Sequence, residues 1–276
     1  MRYSILAGTM MLMVACNPGG KKTKNNNEIV TDTTMKEATI MRFEFSQGDP
    51  IAGKATTIIL RPLKTGSDSV ASLEVQHEKK IHFIIVSNDL ANFRHVHPVE
   101  QADGSYKIDV VFEHGGSYLL YADYQPVNEE KQVTMETVKV EGNDVVPVVY
   151  KDQLLESRPD GYVVRLHNSD SSIASNKELM FTAEISKNGK LLSPASLENY
   201  LGEKAHMVII GVRNKKYLHV HPMVMGNELM LHTSFPEPGI YRAWLEFQKD
   251  GKVQIADFVI NAGTGKANEP IAEHQH

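Results

Sequence analysis

EKAHMVIIGVRNKKYLHVHP, residues 203–222, decides the reading of this chain, because KKIHFIIVSNDLANFRHVHP, residues 79–98, states the same pattern earlier. In each stretch a lone histidine opens an apolar run, and an HVHP tetrapeptide closes the segment that follows. His82 precedes His95 by the same interval as His206 precedes His219. A hydrophobic core can be duplicated without keeping three imidazoles in register, so the coincidence points toward a metal.

The likeness continues beyond the histidines. Phe112 corresponds to Phe235, Gly116-Ser117-Tyr118 to Gly239-Ile240-Tyr241, and Asp123 to Glu246. Duplication of a whole domain accounts for this. Around the first motif the sequence alternates with period two in β-favouring residues at 39–45, 54–63, 70–76, 80–86, 106–112, 117–124 and 132–140. Turn signals such as Asp103-Gly104 and Gly115-Gly116 separate these runs. A second set follows at 161–167, 178–186, 206–213, 228–235, 240–247 and 252–262, with Asn188-Gly189 marking a hairpin turn. No stretch offers a long amphipathic helix. The expectation is an all-β chain of two tandem immunoglobulin-like or cupredoxin-like β-sandwiches, spanning residues 37–150 and 151–263.

Residues two apart on a strand share a face, so His95 with His97, and His219 with His221, each present two imidazoles to one side. The apolar runs 81–86 and 207–212 read as buried central strands with His82 and His206 at their starts. Folding the HVHP segment back beside that start would make a three-histidine cluster in each domain. Three imidazoles can hold a divalent ion with an open position, as in many zinc and copper sites. Pro98 and Pro222, lacking a ladder N–H, should end the strand there.

The second copy adds Met223 and Met225 directly after its motif, where the first has Val99 and Gln101. Thioether with imidazole is a soft set that favours copper over zinc, so a softer site is expected in the second domain. His77 and His114 are further candidate ligands in the first; Asp89 and Glu113 are the carboxylates nearest its motif in sequence. Two other readings stand beside metal binding. The histidines can be structural, each bonded to a backbone carbonyl in an interaction module, since duplication copies structural residues as faithfully as ligands. A metal-dependent enzyme is the third, but no HExxH or Ser/His/Asp arrangement supports it.

The chain has 276 residues, 41% of them hydrophobic, which suffices for two globular domains. Its net charge of −5 and the lack of a basic face argue against nucleic acid as a partner. Residues 1–15 carry a short basic start and an apolar stretch of signal-peptide type. Met13-Val14-Ala15-Cys16 resembles the lipobox of bacterial lipoproteins, departing at Met13, and implies that Cys16 carries lipid. Cys16 is the sole cysteine, so a lipidated chain has no thiolate ligand or disulfide in its folded part. Residues 16–36 read as a flexible tether and 264–276 as a disordered tail. The expected setting is the bacterial cell envelope, lipid-anchored at the outer membrane and facing the periplasm, with a metal ion and an envelope protein as partners.

The second copy is similar to a bacterial secreted or lipoprotein domain family. The residues that carry the resemblance are Tyr200-Leu201-Gly202, His206, the 219–222 HVHP and Pro238-Gly239-Ile240-Tyr241-Arg242, in that order across about residues 178–261. The first copy looks like a related form, through Asp89-Leu90, Phe93, the 95–98 HVHP, Gly116-Ser117-Tyr118 and residues 123–126, without the YLG element. The resemblance implies a β-sandwich in the envelope. It suggests copper, because some members occur in heavy-metal or copper contexts, and it carries over no catalytic residue.

Overall fold

The structure, a computed structural model, describes residues 38–264 apart from 171 and 221, and within them the period-two pattern becomes two β-sandwiches of one plan. The first repeat supplies β1 (Thr39–Phe45), β2 (Ala55–Lys64), β3 (Ile81–Ser87), β4 (Phe93–Val96), β5 (Val99–Glu100), β6 (Tyr106–Val111), β7 (Gly116–Tyr124) and β8 (Gln132–Val140). Its outer sheet runs β1-β2-β6-β5 and its inner sheet β4-β3-β7-β8. The second repeat supplies β9 (Glu156–Ser157), β10 (Tyr162–Asn168), β11 (Glu178–Lys187), β12 (Lys190–Leu191), β13 (Ala205–Gly211), β14 (Tyr217–Val220), β15 (Met223–Met225), β16 (Glu228–Ser234), β17 (Gly239–Lys249) and β18 (Lys252–Ala262). Its outer sheet runs β15-β16-β11-β10-β9, with β12 on β11, and its inner sheet β14-β13-β17-β18. Adjacent strands are antiparallel, in the order of immunoglobulin-like sandwiches.

Local chemistry sets the corners. Asn188 and Gly189 both take positive φ, 52° and 74°, as a two-residue hairpin of the favoured hand requires. The Tyr118 hydroxyl donates to the His114 carbonyl at 3.2 Å, and the Tyr241 hydroxyl donates to the Glu237 carbonyl at 2.8 Å. These are matching tyrosine corners at the start of β7 and β17. Pro98 falls where the chain leaves the inner sheet after β4 and enters the outer sheet as β5; Pro222 does the same between β14 and β15. The HVHP motif is therefore a sheet-switching corner.

Residues 70–76, expected as a strand, form only isolated bridges. Their bonds explain why: Ala71 N–H donates to Pro62 at the outer sheet, and Glu74 N–H donates to Gln125 beyond the inner one. A segment crossing from one sheet to the other cannot build a ladder on either.

The inner strands are buried on both faces, which is why β3 and β13 read as unbroken apolar runs. Ile81, Phe83 and Ile85 face their own sandwich core, as Ala205, Met207 and Ile209 face theirs. The alternate residues Ile84, Val86, Val208 and Ile210 join Leu119, Tyr121 and Trp244 in a third core between the repeats. The inner sheets thus pack against each other, and the sandwiches form one compact unit.

A pseudo-twofold relates the contacts at this interface. Phe93 stacks on Trp244 with centroids 4.4 Å apart, and the equivalent pair, Tyr217 on Tyr121, stacks at 5.4 Å. Arg242, from the PGxYR motif, is buried beside them, with Nη2 2.9 Å from Asp257 and its guanidinium 4.7 Å from the Tyr150 ring centroid.

Candidate metal centre

The face that β3 and β13 turn toward each other carries His82 and His206 at its end, both almost fully buried. In each repeat a tight turn fixes one nitrogen of this histidine. His82 Nε2–H donates to the Gln76 carbonyl at 3.0 Å, and His206 Nε2–H donates to the Tyr200 carbonyl at 2.9 Å. A carbonyl only accepts, so in each ring Nδ1 carries the lone pair. The YLG element is thus a device for setting a tautomer. The first repeat builds the same turn from Gln76-His77-Glu78-Lys79, with His77 and Glu78 at positive φ of 49° and 66° where the second has Leu201 and Gly202.

The first histidine of each HVHP is fixed from the opposite repeat. His219 Nδ1 lies 2.6 Å from Asp123 Oδ2, and His95 Nδ1 meets Glu246 Oε2. Asp123 sits opposite His82 in the β3–β7 ladder, and Glu246 opposite His206 in the β13–β17 ladder. Each repeat therefore places a carboxylate beside its own central histidine and lends it to its neighbour's corner histidine. Burial pushes Asp123 upward, but the His219 hydrogen bond and the nearby charge of Lys131, 3.1 Å away, hold it below the usual carboxylate range. A carboxylate there makes Nδ1 of His219 the donor and Nε2 the lone-pair nitrogen.

One nitrogen from each of His82, His95 and His97 lies within 4.8 Å of the other two. His82 Nδ1 and His95 Nε2 are 3.1 Å apart. With their other nitrogens donating to Gln76 and Glu246, these two present lone pairs to each other. Such a contact requires a positive charge, a proton or a metal ion. Two nitrogens bound to one zinc or copper ion at ~2.0–2.1 Å and separated by 3.1 Å subtend about 100° at the metal, close to a tetrahedral angle. His97 Nε2 is buried without a hydrogen-bond partner, as is Asp123 Oδ1.

Burial disfavours the protonated form of His82, His97, His206 and His219. It pushes His82 down to about 3, helped by His95 and opposed by the Gln76 bond. It pushes His97 down to about 2 and His206 to about 4, and it also lowers His219 against the pull of Asp123. Neutral imidazoles are the form that ligates metal.

The sequence places one cluster in each repeat, whereas the structure brings His82, His95, His97, His206 and His219 to one interface. The His82 ring centroid is 5.3 Å from that of His219 and 6.1 Å from that of His206. His77 stands beside them, 5.6 Å from His206. His221, Cys16 and the tail lie outside the described residues. His114 is at the far end of β7 from Asp123, roughly 20 Å along the strand, and is not brought to the cluster. Met223 and Met225 are on the solvent side of the outer sheet, about half exposed, away from the buried face that holds His206. Asp89 is taken up by its own turn, accepting from the Ser87 hydroxyl and from Val148 N–H. The residues that sequence reasoning missed are the two buried carboxylates; their only signal was the equivalence of Asp123 and Glu246 between the copies.

The chain matches a protein family described as a domain of unknown function, DUF8832, over residues 36–142 and again over 156–264. No curated protein matches it in sequence. Among solved structures it is similar to the FdeC adhesin of Escherichia coli, at 13% identity over 82% of this chain and 66% of that one, with a TM-score of 0.28. It is also similar to the Yersinia pseudotuberculosis adhesin InvE, at 10% identity over 80% and 59%, with a TM-score of 0.25. A two-domain fibronectin type III segment of chicken tenascin gives 14% identity over 82% and 100%, with a TM-score of 0.23. The chain thus spans under two thirds of the two adhesin chains, and likenesses this low carry no argument about function. Among the described residues no helix is long and apolar enough to cross a membrane.

Proposed function

The chain belongs to the DUF8832 family, whose domain it carries twice, and from that premise we propose that the paired repeats bind a transition-metal ion between them. The ion is copper first and zinc second, held by His82, His95 and His97 with His206 and His219 adjoining and His221 as their counterpart in the second motif. The observation that carries this reading is the 3.1 Å approach of His82 Nδ1 and His95 Nε2, each ring backed at its other nitrogen by a carbonyl or carboxylate. Ligating histidines are oriented in this way by outer partners. An all-imidazole set suits Cu(II) and Zn(II), and affinity rises toward Cu(II) along the divalent series. The role is binding rather than catalysis: buffering, delivery or resistance at the bacterial envelope. The lipobox-like residues 13–16 support tethering there through Cys16; the outer membrane, with the protein facing the periplasm, is the place we propose for it.

A second reading is favoured by the same bonds. The carbonyls and carboxylates anchor one nitrogen of each ring and would brace the interface of an interaction module even with only a proton between His82 and His95. Metal content by mass spectrometry, with Cu(II) and Zn(II) titrations of the purified protein, separates the two. Metal binding predicts at least one bound ion, lost in His82→Ala/His97→Ala. At a metal concentration 100 times Kd it predicts stabilisation of about 2.7 kcal/mol, which is about 5–10 °C in melting temperature. Wild-type protein that takes up neither ion sinks the proposal.

A further inference from the structure

The two repeats part company on the solvent face of the outer sheet. Met223 on β15 stands opposite Met230 on β16, and Met180 on β11 stands opposite His232, two residues beyond Met230. Opposite residues in an antiparallel ladder share a face, as do residues two apart, so three thioethers and one imidazole fill a single four-position patch. Across neighbouring strands such positions are about 4.5–5.5 Å apart at Cβ and the diagonals about 7–8 Å, so Met230 and His232 on β16 can share an ion with Met223 on one flank or Met180 on the other. Met180 and Met223 are themselves two strands apart, about 12 Å. The intervening Leu179, Phe181, Leu229 and Leu231 point into the core, which leaves the patch facing outward.

The first repeat offers an internal comparison on the same backbone. Its equivalent positions hold Val99 opposite Lys107, and Asp109 opposite Thr57, whose hydroxyl donates to Asp109 at 2.6 Å. Valine, lysine, aspartate and threonine, none of them a soft ligand, thus occupy the places that the second repeat gives to methionine and histidine. In addition, His232 Nε2 pairs with Glu178 Oε2 at 3.1 Å, which directs Nδ1 to the other side of the ring, the arrangement that orients a ligating imidazole.

We propose that Met230 and His232, with Met223 and Met180 as alternative third ligands on the two flanks of β16, form a surface site for a soft monovalent cation, Cu(I) or its analogue Ag(I). Thioethers select such ions over Zn(II). The site does not rest on the interior histidines binding metal. Its placement does relate to them, because His232 also lines a cleft of about 410 Å³ shared with Lys131, Tyr217, Asp123 and His219. An ion bound by His232 would thus lie beside that cleft.

The test is anaerobic Ag(I) titration of the full chain carrying 13C-methyl methionine, followed by NMR. One equivalent should move the Met230 methyl signal together with that of Met223 or Met180. Met180→Leu/Met223→Leu/Met230→Leu should bind that equivalent at least tenfold more weakly while Zn(II) uptake is unchanged; the single variant Met230→Leu serves if the triple variant folds poorly. In His82→Ala/His97→Ala the Ag(I) signal should persist. Unmoved methyl signals, or Ag(I) affinity unchanged by the leucine substitutions, would overturn the assignment.

Discussion

Asp123 and Glu246 each hold the imidazole of the other repeat, so their removal should be felt at the ion before it is felt in the fold. Asp123→Asn and Glu246→Gln keep the shape but weaken the hold on the ring tautomer. Each is expected to lower metal affinity about 10–100-fold in competition titrations, with the melting temperature of the metal-free protein moving far less. Equal affinity in both variants would show that the carboxylates only brace the interface. Protonation supplies a second check. His82, His97 and His206 have values of about 3, 2 and 4, against about 6.5 in the unfolded chain. Below pH ~6.5 the unfolded chain takes up protons that the fold excludes, so stability present above that pH is lost as the pH falls toward the folded values. With chelator present, denaturation midpoints should drop steadily from pH 7 to pH 4.5; a flat profile would contradict neutral buried rings.

Among the elements, the corner at the start of β7 admits a simple test. A Cβ on Gly115 would meet the Gly142 backbone at 2.5 Å, where neither chain has a flexible side chain to yield. Gly115→Ala is therefore expected to cost about 1–3 kcal/mol by denaturant unfolding, and an unchanged midpoint would show that the corner is softer than it looks. Alternation made the long strands legible in sequence, and Asn188-Gly189 announced its hairpin. The turn before β3 was not legible, because His77 and Glu78 hold positive φ without a glycine to signal it. The histidine spacing marked the candidate site for a comparable reason: a strand's period assigns side chains to faces. It says nothing of which distant strand will cover that face. Glu246 lies 151 residues from His95, and Asp123 lies 96 from His219, so their meeting is a property of packed sheets rather than of any local pattern.

At the scale of the whole molecule, each sandwich has its own core, while Trp244 sits in the third core that joins them. Trp244→Ala should cost about 3–5 kcal/mol at the interface and leave both sandwich cores in place. Calorimetry is expected to resolve two transitions where the intact protein gives one, with metal uptake reduced. A single transition at an unchanged temperature would mean that the interface contributes little.

The exchange of carboxylates across the pseudo-twofold also has a hereditary side. Since Asp123 answers to His219 and Glu246 to His95, the two copies can no longer be swapped independently. Recombination that replaced one of them with a relative lacking its acid would strand a histidine in the copy left behind. Compensating changes should therefore be sought between non-equivalent positions of opposite halves, not at matching ones.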